Sequence, residues 1–130
     1  MIARAQTGII YDNGGPNIQN GFSVLSPADF MLASGSSIYW VGFYFQNYSG
    51  ITGWNQDIMY ALFSDNAGVP GTLLASGPGQ NLTAVDSDLP WCSGGGNAYL
   101  VTFDLVSPFS AQAGVTCWLG LGGATGGSAA

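Results

Sequence analysis

The stretch that decides the fold class is Ala98-Tyr99-Leu100-Val101-Thr102-Phe103-Asp104-Leu105. Every second residue in it is large and apolar: Tyr99, Val101, Phe103 and Leu105. The polar residues Thr102 and Asp104 fall between them. Successive side chains of a β-strand point to opposite faces of its sheet, so this period of two predicts a strand with one buried face.

The rest of the chain repeats this type of segment. Its 21 glycines and six prolines separate short runs that are rich in β-branched and aromatic residues, and no run holds a helical period. The runs predict strands at Gln6–Tyr11, Phe22–Leu25, Asp29–Ala33, Ser37–Gln46, Ile58–Ser64, Thr72–Ser76, Asn81–Val85, Ala98–Leu105 and Val115–Leu121. This spacing predicts an all-β, jelly-roll-like antiparallel β-sandwich.

Ser37–Gln46 is the longest run, and it is apolar on both faces. One face carries Tyr39, Val41, Phe43 and Phe45, and the other carries Ile38, Trp40 and Tyr44. Strands that are buried on both faces lose the clean alternation of apolar and polar residues. We therefore predict a central strand, or a strand whose outer face meets a partner. The turn at Ser107-Pro108 is predicted to end the strand before it.

The pattern divides the chain into three parts. Residues 1–13 form an N-terminal strand segment, residues 14–121 form the sandwich domain, and residues 122–130 form a Gly/Ser/Ala tail. No strand-forming sequence follows Leu121, so the sandwich is expected to lack a strand at that end. A strand from a neighbouring subunit is the hypothesis for completing it.

Charge is scarce throughout the chain. Arg4 is the one basic residue, the seven acidic residues are all Asp, and the formal net charge is −6. A chain without a basic patch has nothing to bind nucleic acid electrostatically. Because there is no His, Ser-His-Asp and Cys-His catalysis are excluded, and no segment reaches the roughly 18 apolar residues of a membrane span. We expect a protein that is not an enzyme and has no cofactor.

Cys92 and Cys117 are the two cysteines. With no His, the pair cannot complete a four-ligand Cys/His zinc site. The low charge is typical of exported proteins, so the favoured prediction is a Cys92–Cys117 disulfide formed in an oxidising compartment. Two buried free thiols are the alternative.

Five segments resemble exported bacterial β-sandwich domains of PEP-CTERM sorting-type proteins. They are Tyr11–Asn17 (YDNGGPN), Ala28–Ser34 (ADFMLAS), Phe63–Gly77 (FSDNAGVPGTLLASG), Val101–Leu105 (VTFDL) and Ala113–Leu121 (AGVTCWLGL). The resemblance implies secretion and a location at the cell surface or in a biofilm matrix, and it brings no catalytic residues. The C-terminal Pro-Glu-Pro motif, apolar span and basic end of such proteins have no counterpart in this sequence.

Several polar and aromatic residues have both a functional and a structural interpretation. Asp86, Asp88 and Asp65 with Asn66 offer calcium-type oxygen ligands, but Asx residues are also the usual turn formers, so no metal site is predicted. Two sequons fit N-glycosylation: Asn47-Tyr48-Ser49 and Asn81-Leu82-Thr83. Trp40, Trp54, Trp91 and Trp118 are candidates for stacking on sugar rings, Trp54 and Trp91 first because they lie in predicted loops. The alternative is that these aromatic side chains fill the core or an interface.

The sharpest functional hypothesis concerns the first residues. An incomplete sandwich exposes a backbone edge that an extended segment of another copy can fill. Ile2, Ile9 and Ile10 are the candidate anchors, and Gly14-Gly15-Pro16 is the candidate hinge. The hypothesis is a structural subunit of an extracellular fibre or matrix, a homopolymer built head-to-tail by N-terminal strand donation, with bound or covalent glycans as further partners. The alternative is a monomeric exported carbohydrate-binding or surface-anchored module.

Overall fold

The computed structural model describes residues 2–5, 8–12, 28–45, 57–90 and 97–122, and it describes side chains in the last three of these ranges. These residues contain strands and no helix. The strands are β1 Ile2–Ala5, β2 Gly8–Asp12, β3 Ala28–Phe30, β4 Ser36–Phe45, β5 Met59–Asn66, β6 Val69–Pro78, β7 Gln80–Pro90, β8 Asn97–Ala111 and β9 Cys117–Gly122. The all-β prediction is confirmed.

The strands form two antiparallel sheets. The first sheet has the order β2-β1-β4-β8-β7, and the second has the order β3-β9-β5-β6. The chain passes from β6 to β7 through Gly79 alone, so these two strands lie on the same lateral side of the sandwich. β1 and β2 lie at the opposite end of the first sheet. The predicted β-sandwich is confirmed, and the jelly-roll winding stays a prediction.

The core lies between the sheets and is centred on Phe103 of β8. The Phe103 ring stacks on Tyr60 of β5 with centroids 6.0 Å apart and meets Phe43 of β4 edge-on at 6.4 Å. Val101, Phe103 and Leu105 are buried as their alternation predicted, and Tyr99 packs against them half-buried. No polar side chain of the described residues is buried with them.

The predicted faces of the longest strand are partly wrong. Val41, Phe43 and Phe45 are buried in the core as expected, but so is Ile38, while Tyr39 is half-buried. The β4–β8 register shifts between Ile38 and Trp40. One extra residue in a strand moves every later side chain to the other face, and the sequence pattern did not reveal it.

The turn predicted at Ser107-Pro108 is also wrong. β8 runs through these residues to Ala111. Ile38 of β4 pairs with Phe109 and Trp40 pairs with Asp104, so the four residues Leu105–Pro108 bulge out of the β4–β8 ladder instead of ending it. Pro has no N–H for a ladder bond, and a bulge is one of the places in a sheet where it is tolerated.

Other bounds differ from the prediction. The expected single strand at Gln6–Tyr11 is replaced by two, β1 and β2, and the expected loop Asp65–Gly71 is a tight turn at Ala67-Gly68 between β5 and β6. The weak strand expected at Asn81–Val85 is the 11-residue β7. Residues 22–25 and 123–130, a predicted strand and the predicted tail, lie outside the described residues.

Candidate functional site

The N-terminal segment pairs within its own chain. β1 lies antiparallel to β4, with Ile2 opposite Gly42, Ala3 opposite Val41 and Arg4 opposite Trp40. β2, which contains the other candidate anchors Ile9 and Ile10, pairs with the free side of β1 and forms the edge of the sheet. In the single chain, the candidate donor segment therefore occupies an edge of its own sandwich.

The contact between β1 and β4 is short. β4 has ten residues, and only Trp40, Val41 and Gly42 pair with β1. On its other side, β4 pairs with β8 from Ser36 to Phe45. Among the described residues, β1 thus pairs with three of the ten residues of β4.

The opposite lateral side presents two longer edges. β6 and β7 end the two sheets there, with ten and 11 residues. Large apolar side chains on them are about half exposed, namely Val69 (53 %), Leu73 (54 %), Leu74 (49 %), Val85 (55 %) and Leu89 (39 %). Long, exposed, apolar edge strands are the usual sites of strand-to-strand association.

The two edges differ in backbone and charge. β7 contains Asp86 and Asp88, and its Asn81 and Asp88 have left-handed backbones with φ of 50° and 58°. The ladders of both edges shift register twice, β7 with β8 and β6 with β5. β6 contains no charged residue and no residue with positive φ. Charged side chains protect an edge from pairing, and β7 has them where β6 has none.

The acidic residues of β7 are organised as a turn. Asp86 Oδ1 accepts hydrogen bonds from the backbone N–H of Asp88 at 2.8 Å and from Asn97 Nδ2 at 3.2 Å. The Ser87 hydroxyl donates to the Ala98 carbonyl oxygen at 2.6 Å. These hydrogen bonds fit the interpretation of Asp86 and Asp88 as turn-forming residues. In the described part of the chain, no three Cys or Asp side chains gather as a metal-binding group.

Asp65 has a comparable structural role. Its Oδ1 accepts a hydrogen bond from Trp118 Nε1 at 2.9 Å and one from the backbone N–H of Gly68 at 3.2 Å. The carboxylate therefore ties the β5–β6 turn to β9, and Trp118 of β9 is held on the outer face of the second sheet.

The outer face of the first sheet holds a compact group of aromatic and polar residues. A Cβ placed on Gly42 would lie 3.0 Å from the Trp40 ring, 3.4 Å from Thr102 Cγ2 and 3.6 Å from Leu100 Cδ1. These side chains therefore share the face away from the core. Beside them, the hydroxyls of Thr83 and Thr102 are hydrogen-bonded to each other, and Asn81 Nδ2 donates to Asp104 Oδ2 at 2.9 Å.

The predicted sugar and glycan sites are described only in part. Trp54, Trp91 and Asn47 lie outside the described residues. Asn81 is exposed at the start of β7, where its side chain is engaged with Asp104. Of the two described tryptophans, Trp118 is hydrogen-bonded to Asp65 on the second sheet, and Trp40 lies near Thr102 on the outer face of the first sheet. Trp40 lies next to Gly42 and opposite Asp104 because β4 pairs with β8. A local sequence pattern does not predict which strands pair.

Cys117 is a free thiol and is buried in the core at the start of β9. The structure therefore contains no Cys92–Cys117 disulfide, which corrects that prediction. Cys92 itself lies outside the described residues. Burial raises the pKa of the Cys117 thiol above its ordinary value of 9.0, because the charged thiolate is disfavoured away from water.

The strand order separates Cys117 from the described residues that flank Cys92 in the sequence. Pro90 and Asn97, which bracket Cys92 in the sequence, pair at the end of β8 that lies beside Phe45 of β4. Cys117 enters β9 from the other end, because Ala111 at the end of β8 pairs with Ser36 at the start of β4. The ten residues of β4 separate these ends by about 30 Å. A disulfide needs Cα atoms about 4.4–6.8 Å apart.

No protein family, curated protein or solved structure matches this chain. No helix in the described residues is long and apolar enough to cross a membrane.

Proposed function

We propose that this protein is a structural subunit of an extracellular fibre or matrix, built head-to-tail when copies exchange their N-terminal strands. In the proposed fibre, β1 and β2 of one copy leave β4 of their own chain and pair with β4 of the next copy. One observation supports this most directly: three register pairs, from Ile2 to Arg4, hold β1 to the sandwich.

β4 is a suitable acceptor because it does not depend on β1 for its place in the fold. Val41, Phe43 and Phe45 anchor it in the core, and β8 pairs with it from end to end. Pairing along a strand edge uses backbone N–H and C=O groups, so a strand from another copy can make the same bonds.

The connection to the sandwich is long enough for exchange. Residues 13–27 separate β2 from β3 in the sequence, and a chain of this length spans at most about 50 Å when extended. The segment contains Gly14-Gly15-Pro16, the predicted hinge. When each copy gives its strands to the next and receives them from the previous one, the contact does not close on itself and generates a fibre.

Composition favours such an assembly. Charged residues are 6 % of the chain and hydrophobic residues 47 %, so few charges have to be desolvated or brought near like charges when copies meet. The resemblance of the sequence to exported β-sandwich domains supports a location outside the cell, at the surface or in a matrix.

Cysteine pairs can test the exchange directly. Ala3 and Val41 are opposite each other in the β1–β4 ladder, where opposite Cα atoms are about 4.5–5.5 Å apart, a distance that suits a disulfide. We would mix the single variants Ala3→Cys and Val41→Cys, one with a mass tag, under mild oxidation. Exchange predicts a disulfide-linked heterodimer on a denaturing gel.

Ser36→Cys provides the matched control. Ser36 is also on β4, but it pairs with Ala111 and not with β1, so Ala3→Cys mixed with Ser36→Cys should stay unlinked. The double variant Ala3→Cys/Val41→Cys should form its bond within one chain and should fail to give fibres in electron micrographs until it is reduced. Exchange is wrong if the double variant links fully while the mixed single variants give no heterodimer.

A second candidate function is supported by the outer face of the first sheet. Trp40 leans over Gly42, with the hydroxyls of Thr83 and Thr102 and the Asp104 carboxylate beside it. An aromatic ring among hydroxyl and carboxylate groups is the arrangement that binds sugar rings. A carbohydrate-binding module would lose its glycan-array signal in Trp40→Ala and keep it in Trp118→Ala, which changes the other sheet.

A further inference from the structure

The edge of the second sheet at β6 is open for pairing. β6 has β5 on one side, and on the other side no strand of the described residues pairs with it. Its prolines, Pro70 and Pro78, lack an N–H group. They bound the seven residues Gly71–Gly77, of which Thr72 donates its N–H to Ser64 Oγ of β5 at 2.9 Å.

A bulge makes the centre of this edge apolar. Leu62 of β5 pairs with Ala75 and Phe63 pairs with Leu73, so Leu74 has no opposite residue. Consecutive residues of a regular strand point to opposite faces, and one of the two leucines would then face the core. With the bulge, Leu73 and Leu74 are 54 % and 49 % exposed, side by side.

We propose that β6 pairs antiparallel with β6 of a second copy, around a twofold axis between Leu73 and Leu74. The second sheets of the two copies then join into one continuous sheet. In this register, Leu73 is opposite the partner's Leu74, Thr72 is opposite the partner's Ala75, and Gly71 is opposite the partner's Ser76. Leucine meets leucine at the centre, and small residues flank it.

The absence of charge on β6 favours this edge as the place where a second copy can bind. The chain has a net charge of −6, so two copies repel each other wherever their Asp residues meet. β6 has no charged residue, whereas β7 beside it carries Asp86 and Asp88. β6 is therefore a long edge on which two copies can approach without placing like charges opposite each other.

The contact deepens the proposed function without depending on it. β6 lies on the lateral side opposite to β1 and β2, so one copy can exchange its N-terminal strands and pair through β6 at the same time. Exchange would then build the fibre, and β6 pairing would join fibres laterally into a sheet or matrix. The β6 dimer itself needs no exchange.

The test uses the full-length chain with exchange blocked by the oxidised Ala3→Cys/Val41→Cys bond. Sedimentation velocity over a concentration series should show a monomer–dimer equilibrium. Leu74→Lys places two positive charges next to each other across the twofold axis and should raise the dimer dissociation constant at least about tenfold. Val85→Lys is the matched control, because Val85 is equally exposed at 55 % on the neighbouring edge β7, and it should leave the dimer intact.

A cross-link checks the register. Leu73→Cys mixed with Leu74→Cys should give a disulfide-linked heterodimer on oxidation, and Val85→Cys mixed with Leu74→Cys should not. A locked chain that stays monomeric throughout the series overturns the proposal, and so does a Val85→Lys effect equal to that of Leu74→Lys. If the exchange cross-link fails but the dimer still depends on Leu74, the proposed fibre is wrong and the β6 contact is supported.

Discussion

The hydroxyl oxygen of Tyr60 accepts a hydrogen bond from the backbone N–H of Val106 at 3.0 Å. Tyr60 belongs to β5 of the second sheet and Val106 to β8 of the first, so this bond joins the two layers. Val106 lies in the bulge of β8, where the β4–β8 ladder leaves its N–H without a strand partner. A partly buried N–H is stabilised by an acceptor, and the hydroxyl of Tyr60, whose side chain is buried, supplies it.

Tyr60→Phe should remove this acceptor while keeping the ring on Phe103. We expect a loss of about 1–2 kcal/mol in the free energy of unfolding, since a partly buried N–H loses its partner. Urea unfolding followed by fluorescence would measure it. Tyr99→Phe is the control, because the Tyr99 hydroxyl has no hydrogen-bond partner among the described residues, and it should change stability by less than about 0.5 kcal/mol. Equal losses would show that the bond contributes nothing.

Gly79→Ala should destabilise the β6–β7 corner through steric overlap. A Cβ on Gly79 would lie 2.2 Å from Ile58 Cγ2 and 2.9 Å from the Phe103 ring. Both neighbours are buried, so overpacking should cost about 1–3 kcal/mol or more. Gly35→Ala is the control, since its Cβ would meet nothing closer than 3.6 Å. In thermal unfolding, Gly79→Ala should have a much lower melting temperature than Gly35→Ala. Similar melting temperatures for the two variants would contradict the packing of this corner.

Cys117 should make stability fall at high pH. Burial raises the pKa of its thiol in the folded protein above the ordinary value of 9.0. Above about pH 9 the unfolded chain loses this proton while the folded chain keeps it, so the free energy of unfolding decreases as pH rises. Below that pH the contribution is constant. The difference in stability between the protein and Cys117→Ala, measured from pH 7 to 10, should shrink only above pH 9, and a flat difference would count against a buried thiol.

Asp65→Ala should loosen the β5–β6 turn from β9. The change removes the acceptor of both Trp118 Nε1 and the Gly68 N–H. Because two hydrogen bonds to a charged but exposed acceptor are lost, we expect the free energy of unfolding to fall by about 1–2 kcal/mol. Asp29→Ala is a suitable control, because Asp29 is also exposed and its carboxylate has no hydrogen bond in the part of the chain that the structure describes. An unchanged Trp118 emission spectrum in Asp65→Ala would argue against the indole contact.

The local patterns that were read correctly are those that a single strand determines by itself. The alternation through Val101, Phe103 and Leu105 requires one buried face, and β8 has it. The strand predicted at Thr72–Ser76 lies within β6, which ends at Pro78, because Pro cannot donate to a ladder. In each case the side-chain chemistry of a few consecutive residues decides the outcome.

The patterns that were misread depend on a partner strand. The bulge between Ile38 and Trp40 is visible only in the register with β8, and the same ladder keeps Ser107-Pro108 inside a strand. The disulfide was predicted from the presence of two cysteines, but its formation depends on which ends of the strands meet. The openness of β6 likewise follows from its place at the end of a sheet.

By itself, the sequence determined that this chain is all-β, low in charge and without His, Lys or Glu. Those properties follow from side-chain types and their period of two, which need no long-range contact. Only the tertiary structure decided that β1 pairs with three residues of β4 and that Cys117 is a buried thiol far from the Pro90 end of β7. It also decided that β6 and β7 both lie at sheet edges, of which β7 carries the charged residues Asp86 and Asp88. Strand order and register are set by the packing of the whole core, so residues far apart in the chain determine which backbone edges remain open.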